Sequence, residues 1–140
     1  MAASPTGAYL VALTPESSEA FQAREINIPH LPFRIGRESR KLAWTGTGLV
    51  GERRAAAPPN NDLYLIEEGE PMNVSREHLL IGSEGGVFYI LDRGSTCGTI
   101  VEGDLLGGGQ ANLQAPLKDH DVIIVGTSLS RHILKFRLDF

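Results

Sequence analysis

Hydrophobic residues in this chain never run long enough to make a buried helix. They come as short stretches at residues 9–13, 33–35, 63–66, 79–81, 87–91, 99–101 and 122–125, bounded by turn residues or charge. Residues 21–28 form a further run that stops at Pro29. Runs of three to five β-branched, aliphatic and aromatic residues between Gly and Pro suit strands, which need only a few residues to cross a core. The last run is the clearest. Leu134, Phe136, Leu138 and Phe140 fall on one side, while Lys135, Arg137 and Asp139 fall on the other. That period of two belongs to a strand with one buried face. Sixteen Gly and eight Pro punctuate the runs. The pattern predicts an all-β, two-sheet antiparallel β-sandwich with little or no helix. The one helix start is Thr14-Pro15-Glu16, with Thr14 as cap and Pro15 in the first position, and there is room for a turn or two at most.

At 140 residues the expectation is one domain, residues 1–140, with enough chain for a real core. A net charge of −4 argues against holding nucleic acid by bulk electrostatics, although a local basic patch could still take an anion. The single cysteine, Cys97, excludes an internal disulfide framework and a cysteine-based zinc site. No apolar run approaches the roughly 18 residues of a membrane span, and no basic segment precedes an apolar one at the N-terminus. These features predict a cytoplasmic protein with neither a membrane nor a nucleic-acid partner.

Residues 38–60 break the rhythm with a long basic insertion rich in Gly, Ala and Pro. It has no sustained periodicity, and loops of that length in compact domains are usually functional or disordered. Six Lys or Arg face two Glu between Arg34 and Arg54, whereas residues 62–84 carry six acidic residues and only Arg76. Basic charge is therefore concentrated in one part of an acidic chain.

Three catalytic or cofactor patterns can be set aside. Residues 46–51 read G-x-G-x-x-G, but only residues 52–57 are available for a following helix before Pro58-Pro59, too few to seat a pyrophosphate. Histidines 30, 78, 120 and 132 have no metal-ligand spacing. Ser75, His78 and Asp92 suggest a hydrolase triad only loosely, because no nucleophile elbow surrounds Ser75. The expectation is a non-enzyme with no metal and no cofactor.

The strongest constellation is different. Gly36-Arg37 closes one predicted strand, Ser75-Arg76-Glu77-His78 precedes another, and residues 92–99, Asp-Arg-Gly-Ser-Thr-Cys-Gly-Thr, join two more. Arg offers a planar fork of donors that matches phosphate oxygens, hydroxyls add neutral donors, and tight turns present backbone N–H groups. Loops at one end of a rigid sandwich can gather such donors.

These three motifs resemble the forkhead-associated (FHA) domain, whose pattern is G-R, then S-R-x-H, then D-x-G-S-T-N-G-T. The match fails at one fixed position, where Cys97 stands for Asn. The resemblance runs from about Leu10 to Leu138 and implies an FHA-type sandwich that binds a phosphothreonine-containing protein or peptide. By the same resemblance Arg37 and Ser75 bind the phosphate, Arg76 adds a contact, and Thr96 completes the pocket. Cys97 and Arg93 fall at peptide-contacting positions, while Gly36, His78 and Gly98 support the site. A thiol is a weak donor and a weak acceptor where an amide is strong in both roles. Two readings therefore stand: a phosphothreonine-binding adaptor in Ser/Thr-kinase signalling, or an FHA-fold interaction domain with weak or lost phosphate dependence.

Overall fold

The computed structural model describes residues 4–38, 42–45, 48–51, 59–67 and 72–139. Thirteen strands and one short helix appear among them. A six-stranded sheet is built from β1 (Ala8–Ala12), β2 (Glu25–Asn27), β9 (Thr99–Val101), β10 (Asp104–Leu106), β12 (Val122–Val125) and β13 (Ile133–Leu138). Its order is β10-β9-β12-β13-β1-β2. A five-stranded sheet contains β3 (Phe33–Arg37), β6 (Leu63–Leu65), β7 (Leu79–Glu84), β8 (Val87–Asp92) and β11 (Gln114–Pro116), in the order β11-β8-β7-β3-β6. The helix, α1 (Pro15–Phe21), is capped by the Thr14 hydroxyl, which accepts from the Ser17 N–H.

The alternation read from the sequence does its work between the sheets. Leu10, Ile123, Leu134 and Phe136 of one sheet meet Phe33, Ile35, Leu79, Ile81 and Ile90 of the other in a single buried cluster. Phe88 and Phe136 pack across the interface with tilted rings 5.3 Å apart. Phe140, the last residue of the predicted alternation, lies outside the described residues.

Three features depart from the sequence expectation. The run at 21–28 is not one strand: Phe21 closes α1, Gln22 turns the chain in the left-handed region (φ 56°), and only Glu25–Asn27 pairs with β1. The insertion at 38–60 contains a paired hairpin, β4 (Leu42–Thr45) with β5 (Gly48–Gly51); the rest of its interior lies outside the described residues. In accord with the sequence reading, strand β5 covers the last four positions of the G-x-G-x-x-G pattern, so Gly48 and Gly51 do not open a helix. The pairing is not wholly antiparallel, because β3 and β6 run parallel. A parallel pair needs a long crossover, and the insertion supplies one.

The β3–β6 pair is fastened at its entry by Arg34 and Asp62. The Arg34 Nε and backbone N–H both donate to Asp62 Oδ2, at 3.0 and 2.9 Å, and Nη2 donates to Oδ1 at 3.2 Å. Burial pushes the Asp62 carboxyl up, but hydrogen bonds and charge from Arg34 outweigh it and leave the group below the usual carboxylate value. The end of β3 thereby reaches the opposite end of the sandwich on a fixed trajectory.

Candidate functional site

At that end, three segments converge: the close of β3 at Arg37, the 72–78 loop before β7, and the 93–98 turn between β8 and β9. His78 joins them. It is fully buried, and its Nδ1 accepts from the Ser75 N–H at 2.9 Å. An amide can only donate, so the ring proton sits on Nε2, which donates to the Gly98 carbonyl at 2.7 Å. Burial holds the imidazole below its usual pKa despite that bond and the Asp92 carboxylate 4.0 Å away. The His78 N–H donates to Ile35 O, and the Arg37 N–H donates to Ser75 O at 2.9 Å.

The 93–98 turn is built around Asp92, which is buried. Its Oδ1 accepts from the N–H groups of Gly94 and Ser95, and its Oδ2 accepts from the hydroxyls of Ser95 and Thr99. Ser95 Oγ in turn accepts from the Gly98 N–H at 2.9 Å. Gly98 takes φ +84°, and an added Cβ there would run into the Leu105 side chain. Such a side-chain knot replaces the hydrogen bonds that a turn cannot make with itself.

The 72–78 loop is held by partners outside it, one close by in sequence and the others distant. Glu67 accepts from the N–H groups of Asn73 and Val74, at 3.1 and 2.6 Å. The Asn73 side chain accepts from the Thr127 hydroxyl at 2.6 Å, next to Gly126, where a Cβ would strike Asn73. Asn61 donates to the Arg76 carbonyl at 2.7 Å, and a Cβ on Gly36 would overlap both of those groups. These anchors carry no local signal, so motif reading does not find them.

Above this scaffold lies an open cleft of about 740 Å³ lined by Arg37, Ser75, Arg76 and Thr96, together with Met72, Val74, Glu77 and Gly94. The Ser75 hydroxyl oxygen accepts from the Thr96 N–H at 3.1 Å, which fixes two of the expected contacts relative to each other. The Arg37 guanidinium donates to the Met72 sulfur. Arg93 does not line the cleft. Its guanidinium donates to Asn61 Oδ1 at 2.7 Å and pairs with Glu77 at 3.2 Å. Cys97 is half-buried, and its thiol donates to the Met72 carbonyl at 3.6 Å. Gly36, His78 and Gly98 sit beneath the lining as support. Two guanidinium groups, two hydroxyls and exposed turn backbone make a surface suited to a tetrahedral anion. Among the described residues no group of His, Cys, Asp or Glu is placed to hold a metal.

A two-sheet sandwich that gathers Arg, Ser and Thr donors at one loop end defines a class of recognition modules. The sequence model of the FHA domain matches residues 33–126, two thirds of the chain, and the chain belongs to that family. No curated protein matches it. Solved structures share the fold. One is Mycobacterium tuberculosis EmbR in complex with a low-affinity phosphopeptide (22% identity, TM-score 0.58); the match covers 94% of this chain and 24% of EmbR. This chain therefore spans about a quarter of that protein's length. The FHA domain of Chlamydia trachomatis CT664 is similar at 20% identity and TM-score 0.58, over 93% of this chain and 95% of that one. An FHA domain studied for phosphothreonine-dependent interactions is similar at 21% identity and TM-score 0.55, over 94% and 95% of the two chains.

Proposed function

We propose that residues 1–140 act as one FHA domain that binds phosphothreonine-containing segments of partner proteins, as a non-catalytic cytoplasmic adaptor in Ser/Thr-kinase signalling. One observation carries the reading: Arg37, Ser75, Arg76 and Thr96, from three separate motifs, line a single cleft. A phosphate carries about −1.5 to −2 charges and three acceptor oxygens, which this donor set can share. Arg37 and Ser75 take the phosphate directly, Thr96 closes the pocket, and Arg76 contributes its positive charge. The phosphopeptide complex of EmbR and the phosphothreonine-dependent interactions of another neighbour support the choice of ligand.

The test is a calorimetric titration with a phosphothreonine-peptide library, run beside phosphoserine and unphosphorylated versions of each peptide. Binding confined to phosphothreonine peptides supports the proposal. A second reading, interaction without phosphate dependence, rests on Cys97, whose thiol points to the Met72 carbonyl and offers a peptide little. Equal affinity for phosphorylated and unphosphorylated peptides would favour it.

A further inference from the structure

The outer face of the six-stranded sheet carries an apolar row. In antiparallel ladders, directly paired residues project to the same side. Leu105 pairs with Ile100, Ile100 with Ile124, and Ile124 with Ile133. Leu13 continues the row, since its N–H donates to Ile133 O next to the Ala12–Leu134 pair. Their chain neighbours Leu106, Val101, Ile123, Leu134 and Ala12 are buried in the core, so this row faces outward. Leu105 and Leu13, at its ends, are 41% and 44% exposed. Reading across β10, β9, β12, β13 and the end of β1, the row is Leu-Ile-Ile-Ile-Leu. It is symmetric about β12.

The next outward row keeps the symmetry in shape and reverses it in charge. Val122 of β12 lies in the middle and pairs with Lys135 on one side. On the other side Glu102, in the turn after β9, donates its backbone N–H to Val122 O at 3.1 Å, and its carboxylate accepts from the Val122 N–H at 2.7 Å. Lys135 and Glu102 therefore lie on opposite sides of the same central strand. Two-fold symmetric interfaces need a self-complementary surface, and this one is apolar where it meets itself and oppositely charged where it exchanges sides.

We propose that a second copy of this chain covers this face, with the two-fold axis running along β12. Ile124 meets Ile124 of the partner subunit, Leu105 meets the partner's Leu13, Ile100 meets the partner's Ile133, and Lys135 meets the partner's Glu102. Face-to-face packing of two sheets with nearly aligned strands is a standard arrangement, about 10 Å between layers. Because the axis follows the strands, both clefts open at the same end of the dimer, where a doubly modified partner can engage the two together. The dimer itself does not rest on the phosphate-binding reading, and its test touches no cleft residue.

The experiment is sedimentation velocity on the 140-residue protein across micromolar to submillimolar concentrations. The expected result is a reversible monomer–dimer equilibrium. Ile124→Asp places two carboxylates together at the axis and should leave only monomer, with the far-UV circular dichroism unchanged. Glu102→Lys and Lys135→Glu should each weaken the dimer about tenfold or more by setting like charges opposite one another. The double variant exchanges the charges and should recover most of the loss. A protein that stays monomeric throughout overturns the proposal. So does a dimer that ignores Ile124→Asp, or one that the double variant fails to restore. The paired charge variants decide the matter even if Ile124→Asp does not fold.

Discussion

Arg37 divides its tasks between backbone and side chain. Its N–H donates to Ser75 O and helps fix the loop, while its guanidinium lies in the cleft beside Met72. Arg37→Ala keeps the backbone bond and removes only the charged fork. The expected outcome is a folded domain that has lost about 2–4 kcal/mol of phosphopeptide affinity, enough to bring a micromolar complex to the edge of detection. Calorimetry with the best library peptide reads this directly, and an unchanged affinity would remove Arg37 from the phosphate site. Cys97 poses the opposite question, because a thiol stands where the family pattern has Asn. Cys97→Asn supplies two donors and an acceptor beside the cleft. One or two recovered hydrogen bonds at about 0.5–1.5 kcal/mol each should raise phosphopeptide affinity roughly three- to thirty-fold. Free phosphothreonine should bind no better, since it offers little main chain to clasp. Equal improvement for both ligands would place residue 97 in the anion pocket itself.

The elements explain why those residues could be found in the sequence at all. Each motif sits at a strand end: Arg37 closes β3, Ser75 to His78 lead into β7, and Asp92 to Thr99 span β8 to β9. A residue at a strand end reports its own location through the alternation that stops there, so the motifs could be placed at strand ends without coordinates, while the choice of Arg37, Ser75, Arg76 and Thr96 came from the family resemblance. The parallel β3–β6 pair was not legible, because strand direction depends on where a long crossover returns. Strands β10 and β11 were missed for a related reason. Each has only three residues and draws its pairing from a neighbour, Asp104 from Val101 and Ala115 from Ile90, so its own composition says little. Arg93 shows how contacts from far along the chain escape motif reading. Asn61 and Glu77, both distant in sequence, take its guanidinium. The 92–99 turn tests the importance of such links. Asp92→Ala would leave two amides and two hydroxyls without their buried acceptor, so a loss of about 3 kcal/mol or more of stability is expected. Chemical denaturation checks it. A loss below about 1 kcal/mol would mean that the turn does not depend on Asp92.

Across the whole molecule, the same buried histidine that assembles the cleft should make folding sensitive to mild acid. In the native protein His78 is neutral, because Nδ1 must accept the Ser75 N–H and burial disfavours a charged ring. In the unfolded chain it takes up a proton near its ordinary value of 6.5. Below that pH the unfolded state binds more protons than the native state, so stability falls as pH falls. The contribution is complete above 6.5 and is lost progressively on the acid side, down to the depressed native pKa. Asp62, also held below its ordinary value, acts in the same direction but only under far stronger acid, around and below its ordinary value of 3.8. Between pH 8 and pH 5, therefore, the histidine step should stand apart from the carboxylate step. Urea midpoints measured at half-unit intervals should be flat above pH 7 and decline below 6.5. His78→Gln should be less stable at pH 8 by about 1–3 kcal/mol, through loss of one or both of its hydrogen bonds, and its decline below pH 6.5 should be shallower. Phosphopeptide affinity, measured where the domain is still folded, should hold through the start of this decline and weaken only as the pH nears the depressed native pKa of His78, where protonating Nδ1 removes the acceptor that holds the Ser75 backbone. A variant that keeps the full acid step would assign the sensitivity to another histidine and leave His78 a pH-independent strut.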